Sequence, residues 1–491
     1  MKKVILFAGF LAVLGLNQSH AVTAAAYREQ VQGNHFLKET TGEQFCWHAA
    51  AGISEFQKGY EAFKDEKWLE EGAKYYDWLI SKMETAPDGY KGWIGPYMYD
   101  AKLDMDCHVG DAILMNAFLG YAEIVLKDPA LKEKYGTKAQ GYVDLAKKHL
   151  IEKWDKRDTW MVDGPYGHYY IQKMFIDPKK KAFVNKASLQ LSIPFNKFEY
   201  MARCTLKLYR ITGEEDFRDR SEKMFSLVKS RFRCEGDRYF LNYWEPYQAS
   251  DMGSVPKHWV GVHPERPGYS LSEAGGVTEA FHTGIVFSEE DMQRYVNSNL
   301  WMWNKSLTKP GFKSASGLEK TKGGQDAGML WSVFADFDAN IRKLVENNLQ
   351  SPSSLSEEIG FAYLKNVTMK EPPGFKRKYA KGTVKLPDIK VYPSPDFAMA
   401  VAMPYLLDTS SGETMKVLCQ ATPKANVKVE LVSADSKTVL GTLFTGKIKD
   451  NGYPDLFRWN GKDPKGGKIK GVFRIRWTVN KSVRETPVEI K

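Results

Sequence analysis

The sequence predicts a mainly α protein: a complete or incomplete α/α toroid of about five to seven helical hairpins, followed by a small C-terminal β-sandwich. Three observations carry that expectation. Segments with apolar residues at helical spacing recur in pairs, roughly every 50 to 90 residues. Within a pair the first segment is the more apolar, as the inner helix of a ring must be, and the second opens on charged or capping residues and is amphipathic. After about residue 370 helical spacing gives way to period-two alternation.

Residues 1–21 read as an export signal: Lys2 and Lys3, the short apolar run "VILFAGFLAVLGL", then "SHA" with cleavage expected after Ala21. The run is too short to span a bilayer, and no later stretch is expected to reach that length either. The expected location is therefore periplasmic or secreted, with no stable membrane insertion. Residues 22–370 are assigned to the toroid. Its expected inner helices include "CWHAAAGISEFQKGYEAF", "CHVGDAILMNAFLGYAEIVL", "FNKFEYMARCTLKLYRI" and "LSEAGGVTEAFHTGIVF". Each is followed by an outer partner, for instance "DEKWLEEGAKYYDWLISKM" after the first and "SEEDMQRYVNSNLWMW" after the last. A fifth pair is expected from "GGQDAGMLWSVFADFDANI" to "SLSEEIGFAYLKNV".

Residues 371–414, rich in proline and lysine, read as a linker with short strands, and 415–491 as the β-sandwich. "FRWNGKDPKGGKIKGVFRIRWTV" resembles the closing hairpin of the small immunoglobulin-like module of flagellar-hook capping proteins, through Trp459, Gly461, Asp463, Gly467 and Gly471. That resemblance implies an accessory module without chemistry.

The net charge of +10 is unevenly placed. Residues 415–491 hold 16 Lys and Arg against 7 Asp and Glu, a balance of +9; with Lys2 and Lys3 set aside, residues 22–414 sit near −1. The basic module could concentrate an acidic polymer, while the main body gives no reason to expect a nucleic-acid partner. Five cysteines exclude a disulfide scaffold but leave room for one bridge, Cys204 with Cys234. Oligomeric state is not legible.

In a toroid the loops entering the inner helices line one face, and here they are rich in His, Trp, Tyr and Asn. "QFCWHAA" holds Trp47 and His48; "DMDCHVGDAI" holds Asp104, Asp106, His108 and Asp111; "DGPYGHYYIQ" holds Asp163, Tyr166, His168 and Tyr169. Asn196 opens another inner helix, and "GVHPERPGYSLSEAGG" crowds His263, Arg266 and Tyr269 into seven residues. None of these spacings is diagnostic of zinc or calcium, so no metal and no cofactor are expected. Two enzymatic chemistries remain. Glycoside hydrolysis needs two carboxyl groups flanking the scissile bond, for which Asp106, Asp111, Asp163, Glu273 and Glu279 are available. β-Elimination on a uronate needs the sugar carboxylate neutralised, the C5 proton removed and a proton given to O4. His263, Arg266 and Tyr269, with Asn196, supply those groups. A non-catalytic carbohydrate-binding envelope protein is the third reading.

The helical repeat, the signal, and an Asn followed by a His…Arg…Tyr loop resemble the α/α-toroid polysaccharide lyases, over roughly residues 40–370. The resemblance implies a metal-independent site acting on an acidic polysaccharide. In it Asn196 would neutralise the uronate and His263 would be its partner or an auxiliary base. Tyr269 would be acid and base, and Arg266 would stabilise charge. Tyr166 with His168 competes for the acid/base role. Trp47, Trp259 and Tyr166 are expected sugar platforms, with His48, His108 and His168 as further substrate contacts.

Overall fold

The computed structural model describes residues 22–39, 42–97, 100–169, 173–184, 193–244, 267–309, 330–374, 397–421, 424–448 and 455–491. The expected signal peptide lies outside them. Helices α1 (Ala24–Gly33), α2 (Phe36–Glu39) and α3 (Gly42–Ala50) lead into α4 (Glu55–Phe63) and its outer partner α5 (Lys67–Ile80). Next come α6 (His108–Lys127) with α7 (Pro129–Ala146), a π-helical segment (Lys147–Glu152) and the short α8 (Lys153–Lys156). The pairs α9 (Phe195–Thr212) with α10 (Glu215–Arg231) and α11 (Pro267–Thr283) with α12 (Glu289–Trp301) follow. The helices end with α13 (Ala339–Leu349) and α14 (Leu355–Tyr363).

The inner helices neighbour one another in sequence order: α3 lies on α6, α6 on α9, and α9 on α11. The last helix, α14, packs against α4, and Asn366 Nδ2 donates to the Ala62 carbonyl at 3.2 Å. The helices thus close an α/α ring. Helix α6 explains the strong apolar signal of its segment: from His108 to Val125 almost every residue is buried between neighbouring helices. It is the one described helix long and apolar enough to cross a membrane, against the expectation that no later stretch reaches such a length, and most of it is buried inside the ring. Local chemistry sets the boundaries. Asp128 caps α7 by accepting from the Ala130 and Leu131 N–H groups, Ser288 and Asp291 form a reciprocal capping box on α12, and Gly213 closes α9 in the left-handed region. Gly59 on α4 lies where a Cβ would collide with the Trp68 ring of α5, so glycine permits that close crossing.

Short strands decorate the ring. β1 (Glu84–Thr85) pairs with β2 (Lys91–Gly92), and β3 (Gly95–Tyr97) with β4 (Asp100–Cys107). β5 (Trp160–Asp163) and β6 (Tyr166–Tyr169) form a hairpin, while β7 (Lys173–Asp177) and β8 (Ala182–Val184) extend β4 into a four-stranded antiparallel sheet. β9 (Arg233–Glu235) and β10 (Arg238–Phe240) form another hairpin.

The C-terminal strands make two packed sheets. One has the order β11 (Phe397–Met403), β13 (Met415–Ala421), β16 (Asp455–Trp459). The other runs β12 (Leu406–Leu407), β18 (Ser482–Ile490), β17 (Gly471–Val479), β14 (Asn426–Ser433), β15 (Val439–Lys447). Val427, Val429, Leu431, Ile475, Trp477 and Val488 of one sheet meet Met415, Val417, Cys419 and Trp459 of the other. The sandwich takes in β11 and β12, which lie inside the segment read as a linker.

The sandwich is fastened to the ring by the β5–β6 hairpin. The Asp163 carboxylate accepts from the backbone N–H of Tyr405 at 2.7 Å and of Leu406 at 3.2 Å, and Arg484 donates to the Arg231 carbonyl at 3.2 Å. Cys204 forms no disulfide. Its thiol donates to the Ala112 carbonyl inside the α6–α9 contact, whereas Cys234 lies in β9 opposite Tyr239.

Candidate functional site

One end of the ring gathers the first turns of α3, α9 and α11. On α3, Glu43 and Trp47 lie one helical turn apart and share a face; on α9, Lys197 and Tyr200 are nearly so. Lys197 Nζ donates to Glu43 Oε1 at 2.8 Å, and Trp47 Nε1 donates to the same oxygen at 3.3 Å. The ammonium also stands 5.8 Å from the Trp47 ring centroid, and Tyr200 meets that ring edge-on at 6.4 Å. Burial works to lower the Lys197 pKa. Glu43, Cys107 and Tyr269 outweigh it, so the value rises and the ammonium stays charged.

Tyr269, in the first turn of α11, is half-buried, and its ring stacks on Tyr243 with centroids 5.6 Å apart and planes 13° from parallel. The Tyr243 carbonyl accepts from the Phe195 N–H at 3.0 Å, which ties the start of α9 to the same corner. Asn196 is next to it, buried, with its Oδ1 making no hydrogen bond among the described residues. Tyr269, Asn196 and Trp47 are therefore brought to one end of the ring.

Deeper along α9 and α11 lie carboxyl groups in opposite states. Glu199 is fully buried; burial first, and then the neighbouring Glu273 carboxyl, push its pKa well above the ordinary value, with Arg203 opposing. Neither Glu199 oxygen finds a hydrogen-bond donor among the described residues. Gly276 makes room for it, since a Cβ there would collide with Oε2. Glu279 is partly buried, and Arg203, Lys207 and Arg210 overcome the desolvation and pull its pKa well below the ordinary range. Arg203 and Lys207 donate to its two oxygens, and Arg210 reaches Oε1 at 3.2 Å and Glu123 at 2.7 Å. The ring thus holds one carboxyl kept as the acid and one kept as the anion. Divergent environments of this kind are how proteins separate acid from base roles.

The other sequence-selected residues lie elsewhere. His108 is fully enclosed: it meets Trp154 edge-on at 5.3 Å and Tyr169 at 5.3 Å, and burial lowers its pKa to about 3. It offers no surface to a sugar. Its neighbours Asp106 and Asp111 are equally buried and committed to cations. Lys153 Nζ stands 2.5 Å from Asp111 and 3.2 Å from Asp106, and Arg157 lies 2.9 Å from Asp106. Asp104 and Asp106 sit in β4, and no side chain caps α6.

Tyr166 and His168 are buried where the ring meets the sandwich. Tyr166 packs edge-on against Tyr405 at 5.6 Å, and His168 has its pKa lowered to about 3 by burial and then by the Arg231 charge. They are thereby removed from the Tyr269 corner. His48 stacks on Phe36 at 4.7 Å, on the side of α3 facing α2. His263, Arg266 and Trp259 lie outside the described residues. Sequence reasoning passed over Lys197, Glu199 and Tyr200, although "FNKFEY" carries all three beside Asn196. It also passed over Glu43, one turn before Trp47. Among the described residues no group of three or more His, Cys, Asp and Glu is placed to hold a metal ion.

A groove of about 790 Å³ flanks the first hairpin. Gly42 and Phe45 of α3 line it together with Arg28, Trp78, Lys82 and Trp93, while Glu43 on the same helix turns to Lys197.

No protein-family model matches the chain, and no curated protein does. Among solved structures it is similar to a GH76 α-mannanase of Bacteroides thetaiotaomicron, at 11% identity over 64% of this chain and 69% of that one, TM-score 0.35. A second family 76 glycoside hydrolase of that organism, a mannosidase, gives 12% over 66% and 71%, TM-score 0.38. Cellobiose 2-epimerase from Bacillus thermoamylovorans gives 14% over 64% and 73%, TM-score 0.36. At such scores none of these likenesses bears on reaction or substrate.

Proposed function

We propose that the chain is a carbohydrate-active enzyme of the glycoside hydrolase type, with Glu199 as the proton donor to a glycosidic oxygen. The observation that supports this reading is the state of Glu199: buried, without a hydrogen-bond donor among the described residues, and kept protonated beside a second carboxyl, Glu273. Both are as enclosed as His108, so the contact between α9 and α11 must open for substrate. A protonated carboxyl near neutral pH is what a leaving alcohol requires, and glycoside hydrolysis pairs it with a second carboxylate acting as base or nucleophile. Glu273 takes that second role. At the same end of the ring the half-buried Trp47 and Tyr200 would supply apolar faces for a sugar ring, with the Lys197 ammonium, paired with Glu43, beside Trp47. Glu279, saturated by three cations, is excluded as the base.

One observation favours β-elimination as the second reading: Tyr269 lies within the electrostatic reach of the Lys197 ammonium, as a tyrosine serving as acid and base requires. Against it, the described cations Lys197 and Arg203 are already paired with Glu43 and Glu279, so they leave little positive charge for a uronate.

The test is incubation with a panel of neutral and acidic polysaccharides, following reducing ends and ultraviolet absorbance together. Hydrolysis gives reducing ends without absorbance, and Glu199→Gln abolishes them. Rising absorbance would transfer the reaction to Tyr269 and β-elimination.

A further inference from the structure

Between β16 and β17 the chain makes a tight hairpin, residues 460–470, whose only charges are Lys462, Asp463, Lys465, Lys468 and Lys470. All four lysines are exposed, and none has a carboxylate within ion-pair distance among the described residues. The single acid is turned inward. Asp463 Oδ1 accepts from the Lys465 and Gly467 N–H groups, both at 2.8 Å, so its charge stabilises the turn instead of neutralising a neighbour.

The hairpin is also held firmly. Asp463 N donates to the Gly467 carbonyl at 2.8 Å and Gly466 N to the Asp463 carbonyl at 2.9 Å; Lys462 and Lys468 pair across it. Trp459 Nε1 donates to the Lys462 carbonyl at 2.7 Å, and Pro464 packs on Gly441 of β15, where a side chain would collide. Four like charges are thus displayed on a preformed support. An anion from outside the chain would relieve their mutual repulsion.

We propose that this hairpin is an anchoring surface for an acidic polysaccharide. The occupant must carry closely repeated negative charges, because the lysines present point charges and no fork of the arginine kind. The hairpin carries no aromatic residue, and Phe457 and Trp459 beside it pack into the sandwich core, so among the described residues the hairpin offers no platform on which bases of a single strand could stack. Carboxylated or sulfated glycan is the polyanion that fits. The surface lies on the module bearing the +9 balance, far in sequence from Glu199, and its role does not depend on the reaction assigned to that residue.

The experiment is native electrophoresis of the full chain in gels containing alginate or, separately, heparin, over a range of salt. The wild-type chain is expected to be retarded at low salt and released by about 0.3 M, where screening reaches within a few ångströms. Combining Lys462→Gln, Lys465→Gln, Lys468→Gln and Lys470→Gln should weaken retardation about tenfold or more with an unchanged thermal midpoint. If that variant loses stability, Lys465→Gln with Lys468→Gln serves instead and should weaken retardation measurably. Absence of wild-type retardation in both gels overturns the proposal, as does retardation unaffected by a folded variant. Equal retardation by single-stranded DNA overturns the assignment to glycan. Because the readout is binding alone, it stands or falls apart from the catalytic role of Glu199.

Discussion

Lys197 and Glu43 are 154 residues apart in the chain and meet at 2.8 Å, joining two inner helices at the end of the ring where Tyr269 and Trp47 also lie. Both side chains are largely shielded, at 17% and 8% exposure, so each would be costly to leave without the other. Lys197→Met is expected to destabilise the chain by about 2–3 kcal/mol, because an isolated carboxylate remains. Adding Glu43→Gln should recover part of that loss. Urea unfolding of the two single variants and the double variant measures the coupling, and additive losses would show that the pair is not coupled.

Glu199 leads to a pH dependence whose sign can be worked out. Its pKa is raised in the folded chain, so the folded state holds a proton that the unfolded state releases above about pH 4.3. Stability from this group is present below that pH and is lost as pH climbs towards the raised folded value. Glu199→Gln removes the conflict. It should raise the thermal midpoint at pH 8, change it little at pH 4, and abolish turnover at both. A midpoint gain equal at both pH values would show that Glu199 is not held protonated.

Tyr269→Phe separates the two chemistries. The ring can keep its stacking on Tyr243 while only the hydroxyl is lost. In a hydrolase driven by Glu199, turnover should fall by less than about tenfold, chiefly through KM. Loss of kcat by a factor of about a thousand or more, with ultraviolet-absorbing product in the wild type, would instead place the proton transfer on Tyr269.

The parts that were legible from sequence are those governed by near neighbours. The hairpin pairs show in the 3.6-residue period because each outer helix exposes one face, as α5 does with Trp68, Leu69, Tyr75, Tyr76 and Leu79 buried and Glu70 and Lys74 outside. Strand β11 was hidden for the opposite reason. Ala400 and Ala402 pack on one side and Val401 and Met403 on the other, so "FAMAVAM" shows no alternation. The site was obscured by tertiary pairing. A polar residue opening an inner helix looks available for substrate, yet whether Asp111 is free depends on Lys153, and Asp163 is taken by the backbone of Tyr405. Lys197 and Glu199 sit within three residues of the selected Asn196, but their partners come from α3 and α11. No local pattern could have ranked them.

His108 supplies the last prediction. Both ring nitrogens are buried without a hydrogen-bond partner among the described residues, and the imidazole is wedged between Trp154 and Tyr169. Its pKa falls to about 3, chiefly through burial and secondarily through the Lys153 charge. The unfolded chain takes up a proton on this histidine below about pH 6.5, whereas the folded chain refuses it. Stability from the group is therefore complete above that pH and is lost progressively as pH falls towards 3, at about 1.4 kcal/mol for each unit of the interval. His108→Phe keeps an aromatic ring in the wedge and removes both unsatisfied nitrogens. The variant should melt higher than wild type, with a gain larger at pH 5 than at pH 8, and turnover on any responsive glycan should change less than about twofold. A turnover loss of tenfold or more in a stably folded His108→Phe chain would return His108 to the substrate contacts and require the α6 end of the ring to open during catalysis.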